Sequence, residues 1–116
     1  MNLDNVFLPA DDLAASSEFY QKVLGLPVKF NFADAGMTAF NIGDSEPAII
    51  LKDRAKLKLD EVAVWIQVDD ARAAYRELSA RGVKFLSEPF HINTGWAVEL
   101  RDPSGNRIGL TDYLPE

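Results

Sequence analysis

The chain has no cysteine and only one histidine, His91. Without cysteine there is no disulfide, no thiolate metal centre and no thiol nucleophile. A lone imidazole has no second imidazole to join it in a metal site. No run of apolar residues is long enough to cross a bilayer. The first residues, Met1-Asn2-Leu3-Asp4, lack the basic segment and apolar stretch of a secretory signal. A cytoplasmic protein with no membrane partner is the expectation. Positive charge is also scarce. Twelve Lys and Arg stand against 18 Asp and Glu, for a net charge of −6, so nucleic acid is a poor partner. One local exception, Lys52, Arg54, Lys56 and Lys58, reads as a solvated connection. The serines, among them Ser17, Ser45 and Ser104, fall on expected helices or turns away from the histidine, so no nucleophile-base-acid set is visible.

What is present is a repeat. Asp12 matches Asp70 and Asp44 matches Asp102 at an offset of 58 residues. Val6 matches Val64, Leu8 matches Ile66, and Ile50 matches Ile108 at the same offset. Val28-Lys29-Phe30 recurs as Val83-Lys84-Phe85, shifted by 55. A duplicated unit of this length is a supersecondary module. The 116 residues make one domain over 1–116, with internal modules 1–57 and 58–116.

Each module reads as β-α-β-β-β. Asn5 to Pro9 is the first strand, and Asp11 or Asp12 caps a helix that runs to about Leu24. That helix buries Leu13, Tyr20 and Leu24, with Phe19 and Val23 beside them, and Gly25 ends it. Strands follow near Val28 to Phe32, Met37 to Ile42 and Ala48 to Leu51. Turns fall at Asp34-Ala35-Gly36 and Gly43-Asp44-Ser45. In the second module Val62 to Val68 is the first strand, and Asp69 or Asp70 caps a helix ended by Gly82. Strands near Val83 to Leu86, Trp96 to Arg101 and Arg107 to Asp112 complete it, with His91 on a loop. The fold class is therefore α+β: two βαβββ modules forming a cupped mixed β-sheet with helices on the outer face.

Strand alternation sorts side chains between the helix face and the hollow face. Val6 and Leu8 face the helix, so Asn5 and Phe7 face the hollow. In the repeat Ala63, Trp65 and Gln67 face the hollow. If Asp102 to Asn106 is a hairpin loop, Arg101 lies opposite Arg107 and Glu99 opposite Gly109. Ile108, Leu110, Val98 and Leu100 then stay on the helix side.

Asp12-Leu13, Phe19-Tyr20 and Leu24-Gly25-Leu26 together resemble the first helix of the vicinal oxygen chelate superfamily. That group includes glyoxalase I, bleomycin-resistance proteins, fosfomycin-resistance enzymes and extradiol dioxygenases. Asp102-Pro103-Ser104-Gly105-Asn106 and the strand after it resemble its C-terminal hairpin. The resemblance spans nearly the whole chain and implies a divalent metal in the hollow, held by His and Glu on the first and last strands of each module. The matching positions here are Asn5, Leu51, Ala63 and Gly109. None is His, Glu or Asp, while a catalytic metal needs about three protein ligands. The expectation is a metal site left vacant and no cofactor.

The hollow instead offers aromatics. Phe7 and Trp65 are related by the repeat and are expected to face each other, with Trp96 as a third wall. Asn41, Gln67, Glu99, Arg101, Arg107 and Thr111 can orient a guest. An apolar pocket with a few converging polar groups is the usual small-molecule site. The alternative is a face filled by its own side chains or covered by a partner subunit. The reading that follows is a small-molecule binding or sequestering protein of the glyoxalase/bleomycin-resistance type. Its guest would be a small aromatic or cationic molecule, the acidic charge favouring a cation. Unpaired sheet edges point to a homodimer. The competing reading is a superfamily lyase, isomerase or dioxygenase with a non-standard divalent-metal site. There Glu99 would be the base or ligand, assisted by Asn5, Gln67 and His91. A third is a module whose hollow face binds protein.

Overall fold

The computed structural model describes residues 1–44 and 47–115. Ser45, part of one expected turn, lies outside them. The chain forms two compact units, Asp4–Val62 and the segment from Ala63 onward together with Met1–Leu3.

The first unit contains β1 (Asn2–Ala10) from Asp4 onward, α1 (Leu13–Glu18), β2 (Val28–Phe32), β3 (Met37–Asn41), β4 (Ala48–Asp53) and α2 (Arg54–Leu57). Its strands lie in the order β2-β3-β4-β1, with β1 parallel to β4 and the other pairs antiparallel. The second contains β5 (Ala63–Gln67), α3 (Ala71–Ala80), β6 (Phe90–Ile92), β7 (Gly95–Arg101) and β8 (Arg107–Thr111). Here the order is β6-β7-β8-β5, with β5 parallel to β8. The parallel pair in each unit needs a crossover, and the helix packed on the sheet supplies part of it.

Matched aspartates start the matched helices. Asp12 accepts from Ala15 N–H and Asp70 from Ala73 N–H, each at 3.0 Å. Leu13 then joins Leu8, Ala10, Phe40 and Leu51 in the first core, and Tyr20 stacks on Phe40 at 5.7 Å. Ala71 joins Val68, Val98 and Leu110 in the second, under Tyr75 and Phe85. Full burial of a side chain such as Phe40, Leu51 or Val98 contributes about 1.5–3 kcal/mol.

Three expectations change. The first helix does not run to Leu24 as a regular α-helix. It widens into a π-turn over Phe19–Val23, where Leu24 N–H bonds Phe19 C=O. Val23 and Leu24 are left exposed, and Leu26 packs on the core instead. Second, Val83 to Leu86 is no strand but a single bridge, Phe85 to Leu100. The edge strand forms further on, at Phe90–Ile92, and therefore includes His91. Pro89 has no N–H to donate, which separates the bridge from the strand. Third, the repeat offset is 59 rather than 58 at the last strand. Phe7 pairs with Ile50, whereas its counterpart Trp65 pairs with Gly109.

The basic cluster is also not a free connection. Arg54 pairs with Asp11 at 2.7 Å and Lys56 donates to Asp34 C=O at 2.5 Å, both on α2. Among the described residues no helix is long and apolar enough to cross a membrane.

Candidate functional site

Each sheet has a face turned away from its helix, and the observed pairing assigns its residues. In the first unit that face carries Asn5 and Phe7 from β1, Ile50 and Lys52 from β4, Ala39 and Asn41 from β3, and Phe30 and Phe32 from β2. Leu51 is not there. It points into the helix-side core with Leu8 and Phe40, because the β4 register is one residue from the expected one. The residue equivalent to Gly109 is Ile50, which is buried and equally without a donor atom.

Asn5 is engaged in local structure. Its Oδ1 accepts from Ala48 N–H at 3.2 Å and its Nδ2 donates to Asp4 at 3.0 Å. The Lys52 ammonium sits 4.1 Å from the Phe7 ring centroid, a cation–π contact built into the sheet. Phe30 and Phe32 stack at 4.9 Å. Sequence reasoning missed Lys52, Ile50, Phe30 and Phe32. The alternation of Phe30 and Phe32 was the available signal, and the Phe7–Ile50 register was hidden by the slipped repeat.

In the second unit the corresponding face carries Ala63, Trp65 and Gln67 from β5, Arg107, Gly109 and Thr111 from β8, and Glu99 and Arg101 from β7. The hairpin register matches the expectation, with Arg101 opposite Arg107 and Glu99 opposite Gly109. The Trp65 indole lies directly on Gly109. A Cβ at that position would lie 2.6 Å from Trp65 Cε3, so only glycine accommodates the ring. Beside it Arg107 grips Glu99 through two bonds, Nε to Oε2 at 2.6 Å and Nη2 to Oε1 at 2.9 Å. Both side chains are mostly shielded from solvent, which strengthens the pair relative to a surface contact.

Arg101 is directed elsewhere, donating to Gly105 C=O in the hairpin loop at 3.0 Å. Thr111 Oγ1 donates to Trp96 C=O at 3.1 Å. Gln67 reaches a second cleft of about 310 Å³, which it shares with Asp69, Asp70 and Glu77.

Trp96 does not belong to this face. It alternates with Val98 and Leu100, packs on the helix-side core, and holds Arg72 4.3 Å from its ring centroid. The same parity that assigned Val98 and Leu100 assigns Trp96, so the expectation of a third wall is corrected. His91 pairs with Trp96 across β6 and β7 and meets its ring edge-on at 5.2 Å. It lies on the sheet face opposite Glu99 and cannot assist it.

The donor set does not fit a divalent metal. Ala63 and Gly109 have no donor, Ile50 and Leu51 have none, and the carbonyl oxygen of Asn5 is committed to Ala48. The indole additionally fills the space at Gly109.

Comparisons with known proteins agree on the fold. YraH of Bacillus subtilis (strain 168), an uncharacterized protein, is 27% identical over 129 aligned positions covering 98% of this chain and 100% of that protein. Methylmalonyl-CoA epimerase from Mycobacterium tuberculosis superposes with a TM-score of 0.71 at 24% identity, over 98% of this chain and 89% of the other. A glyoxalase/bleomycin resistance protein/dioxygenase superfamily member from Vibrio splendidus 12B01 gives 0.72 at 17% identity, over 97% and 100%. The sequence profile of the Glyoxalase/Bleomycin resistance protein/Dioxygenase superfamily matches residues 2–110. With two βαβββ units and this match over most of its length, the chain belongs to that superfamily.

Proposed function

We propose that this protein binds or sequesters a small planar molecule without a catalytic metal. The observation that carries the reading is the Trp65 indole lying on Gly109, where the family resemblance implies a metal ligand. The glycine backing holds the ring flat and half-buried, as a stacking platform. Stacking of a guest ring on it contributes about 0.5–1.5 kcal/mol beyond area burial. The Glu99–Arg107 pair stands on the same face and supplies polar recognition. Phe7 is the counterpart platform in the first unit. Its own Lys52 already occupies the cation–π position, so an aromatic or anionic group suits Phe7 better than a second cation. The net charge of −6 still favours cationic guests at long range, and both classes belong in the screen. Two further parts of the proposal are a cytoplasmic location and a homodimer paired through the sheet edges.

The test is fluorescence in a Trp96→Phe background, which leaves Trp65 as the sole tryptophan. Planar aromatic and quaternary ammonium compounds are titrated at constant ionic strength. A saturable change for an aromatic compound, lost in Trp65→Ala, is the expected outcome. An inert Trp65 across the panel, or stoichiometric zinc, nickel, manganese or iron in untagged protein, would overturn the proposal.

A further inference from the structure

β2 is an outer strand of the first unit, and its ladder fixes which backbone groups meet solvent. Asn41 N–H bonds Pro27 C=O, so this residue of β3 turns its backbone groups toward the β2 side. These groups alternate along an antiparallel ladder, which turns Ala39 and Met37 the same way. Their partners Phe30 and Phe32 therefore bond β3, and Asn31 between them turns its own N–H and C=O to the free edge. The Asn31 side chain leaves that edge open, because its Oδ1 accepts from Ala33 N–H at 3.0 Å.

The same edge carries an aromatic pair. Phe30 and Phe32 stack at 4.9 Å on the face away from the helix, and Phe32 is 56% exposed. An exposed ring beside unpaired backbone groups on an outer strand is a template for a further strand. The bulge between Val28 and Phe30 and the 3₁₀ turn at Ala33–Ala35 end the regular strand on either side, so only a short partner strand fits.

We propose that a second copy of this chain covers this edge, β2 against β2, with Asn31 on the two-fold axis. The contact rests on the homodimer proposed above and names its surface. Asn31 and the partner subunit's Asn31 exchange two N–H···O=C bonds, and Phe30 lies opposite the partner subunit's Phe32, once on each side of the axis. The two aromatic stacks then join into one cluster. Charge agrees with this register. Beyond the paired residues, Lys29 of one copy lies at the end where the other carries Asp34, and no like charges meet.

β6, an outer strand of the second unit, offers less. Asp112 N–H bonds Trp96 C=O, so by the same alternation His91 is the outward residue there. A two-fold at His91 sets imidazole against imidazole, and Glu88 flanks the strand with no basic residue at its other end. Pro89 has no N–H to add. Pairing β2 with β6 of another copy is head-to-tail and leaves an edge open at each end.

The absence of cysteine gives a clean test. Asn31→Cys and His91→Cys each introduce a single thiol, on the outward residue of one edge. Cα atoms in a hydrogen-bonded antiparallel pair lie about 5.5 Å apart, within disulfide reach. Under mild oxidation with glutathione disulfide, Asn31→Cys should form the covalent dimer about tenfold faster than His91→Cys, or more. In light scattering Phe32→Glu should raise the dimer dissociation constant about tenfold or more, since a carboxylate then faces a phenyl ring on each side of the axis. A dimeric wild type whose Asn31→Cys variant cross-links no faster than His91→Cys overturns the β2 contact and leaves the homodimer standing. So does a Phe32→Glu variant that dimerises as the wild type does. A monomeric wild type overturns both. Circular dichroism checks the fold of each variant, and if Phe32→Glu unfolds, the rate ratio of the two cysteine variants decides alone.

Discussion

Asp112 shows how much one side chain can hold together. It is fully buried at the end of β8. Oδ2 accepts from Ala71 N–H at 2.6 Å, tying down the start of α3. Oδ1 accepts from Trp96 N–H at 2.8 Å and Leu114 N–H at 3.1 Å. Gly95 leaves room for it, since a Cβ there would lie 2.6 Å from Oδ1. Burial by itself would raise the carboxyl's pKa, but the N–H bonds from Ala71, Trp96 and Leu114, with the Arg72 charge, hold it below the usual 3.8. A depressed folded-state pKa means stability that is present above the unfolded value and lost as pH falls through the folded one. Asp112→Asn should therefore cost about 1–3 kcal/mol near neutral pH. The gap between wild type and variant should close as pH drops below about 4. Urea denaturation at a series of pH values measures it, and a pH-independent gap would contradict the assignment.

Among the elements, the weakest is the stretch between α3 and β7. The expected strand at Val83 to Leu86 keeps one bridge to β7, with Leu86 N–H bonding Glu99 C=O, and one bond from Val83 N–H back to Leu78 C=O on α3. Its anchor is Phe85, whose ring meets Tyr75 at 4.9 Å. β6 beyond it is a three-residue edge strand with Phe90 and His91 exposed. Few buried contacts and exposed hydrogen bonds are the signature of low-energy local opening. In amide hydrogen exchange, residues 83–92 should exchange by about tenfold or more faster than β7 and β8 at neutral pH. Equal protection across these segments would count against this reading.

For the whole molecule, alternation was enough to establish the two βαβββ units and the face of most strand residues. It worked for Leu8, Ile66, Val98, Leu110 and the Glu99–Gly109 pair because each strand buries one face. It failed at Leu51, where a constant repeat offset was carried across a gap that shifts register by one. Trp96 was legible from its own parity and was misassigned for its chemistry. The Lys52–Phe7 contact depends on a distance between segments, which the order of residues does not contain. The homodimer belongs to this scale as well. β2 and β6 are the outer strands of their sheets, and β2 leaves Val28 and Phe32 exposed. Light scattering coupled to gel filtration should return twice the 12.9 kDa chain mass, and a monomer at micromolar concentration would remove that part of the proposal.

The glycine beneath the indole has an evolutionary consequence. Any side chain introduced at residue 109 alone would collide with the aromatic ring, so that change is harmful unless the ring is cleared as well. Clearing the ring first destroys the platform that the present protein would use. Positions 65 and 109 are therefore free to vary only as a pair, and the sheet carries at this point a steric link between two strands that neither residue can leave alone.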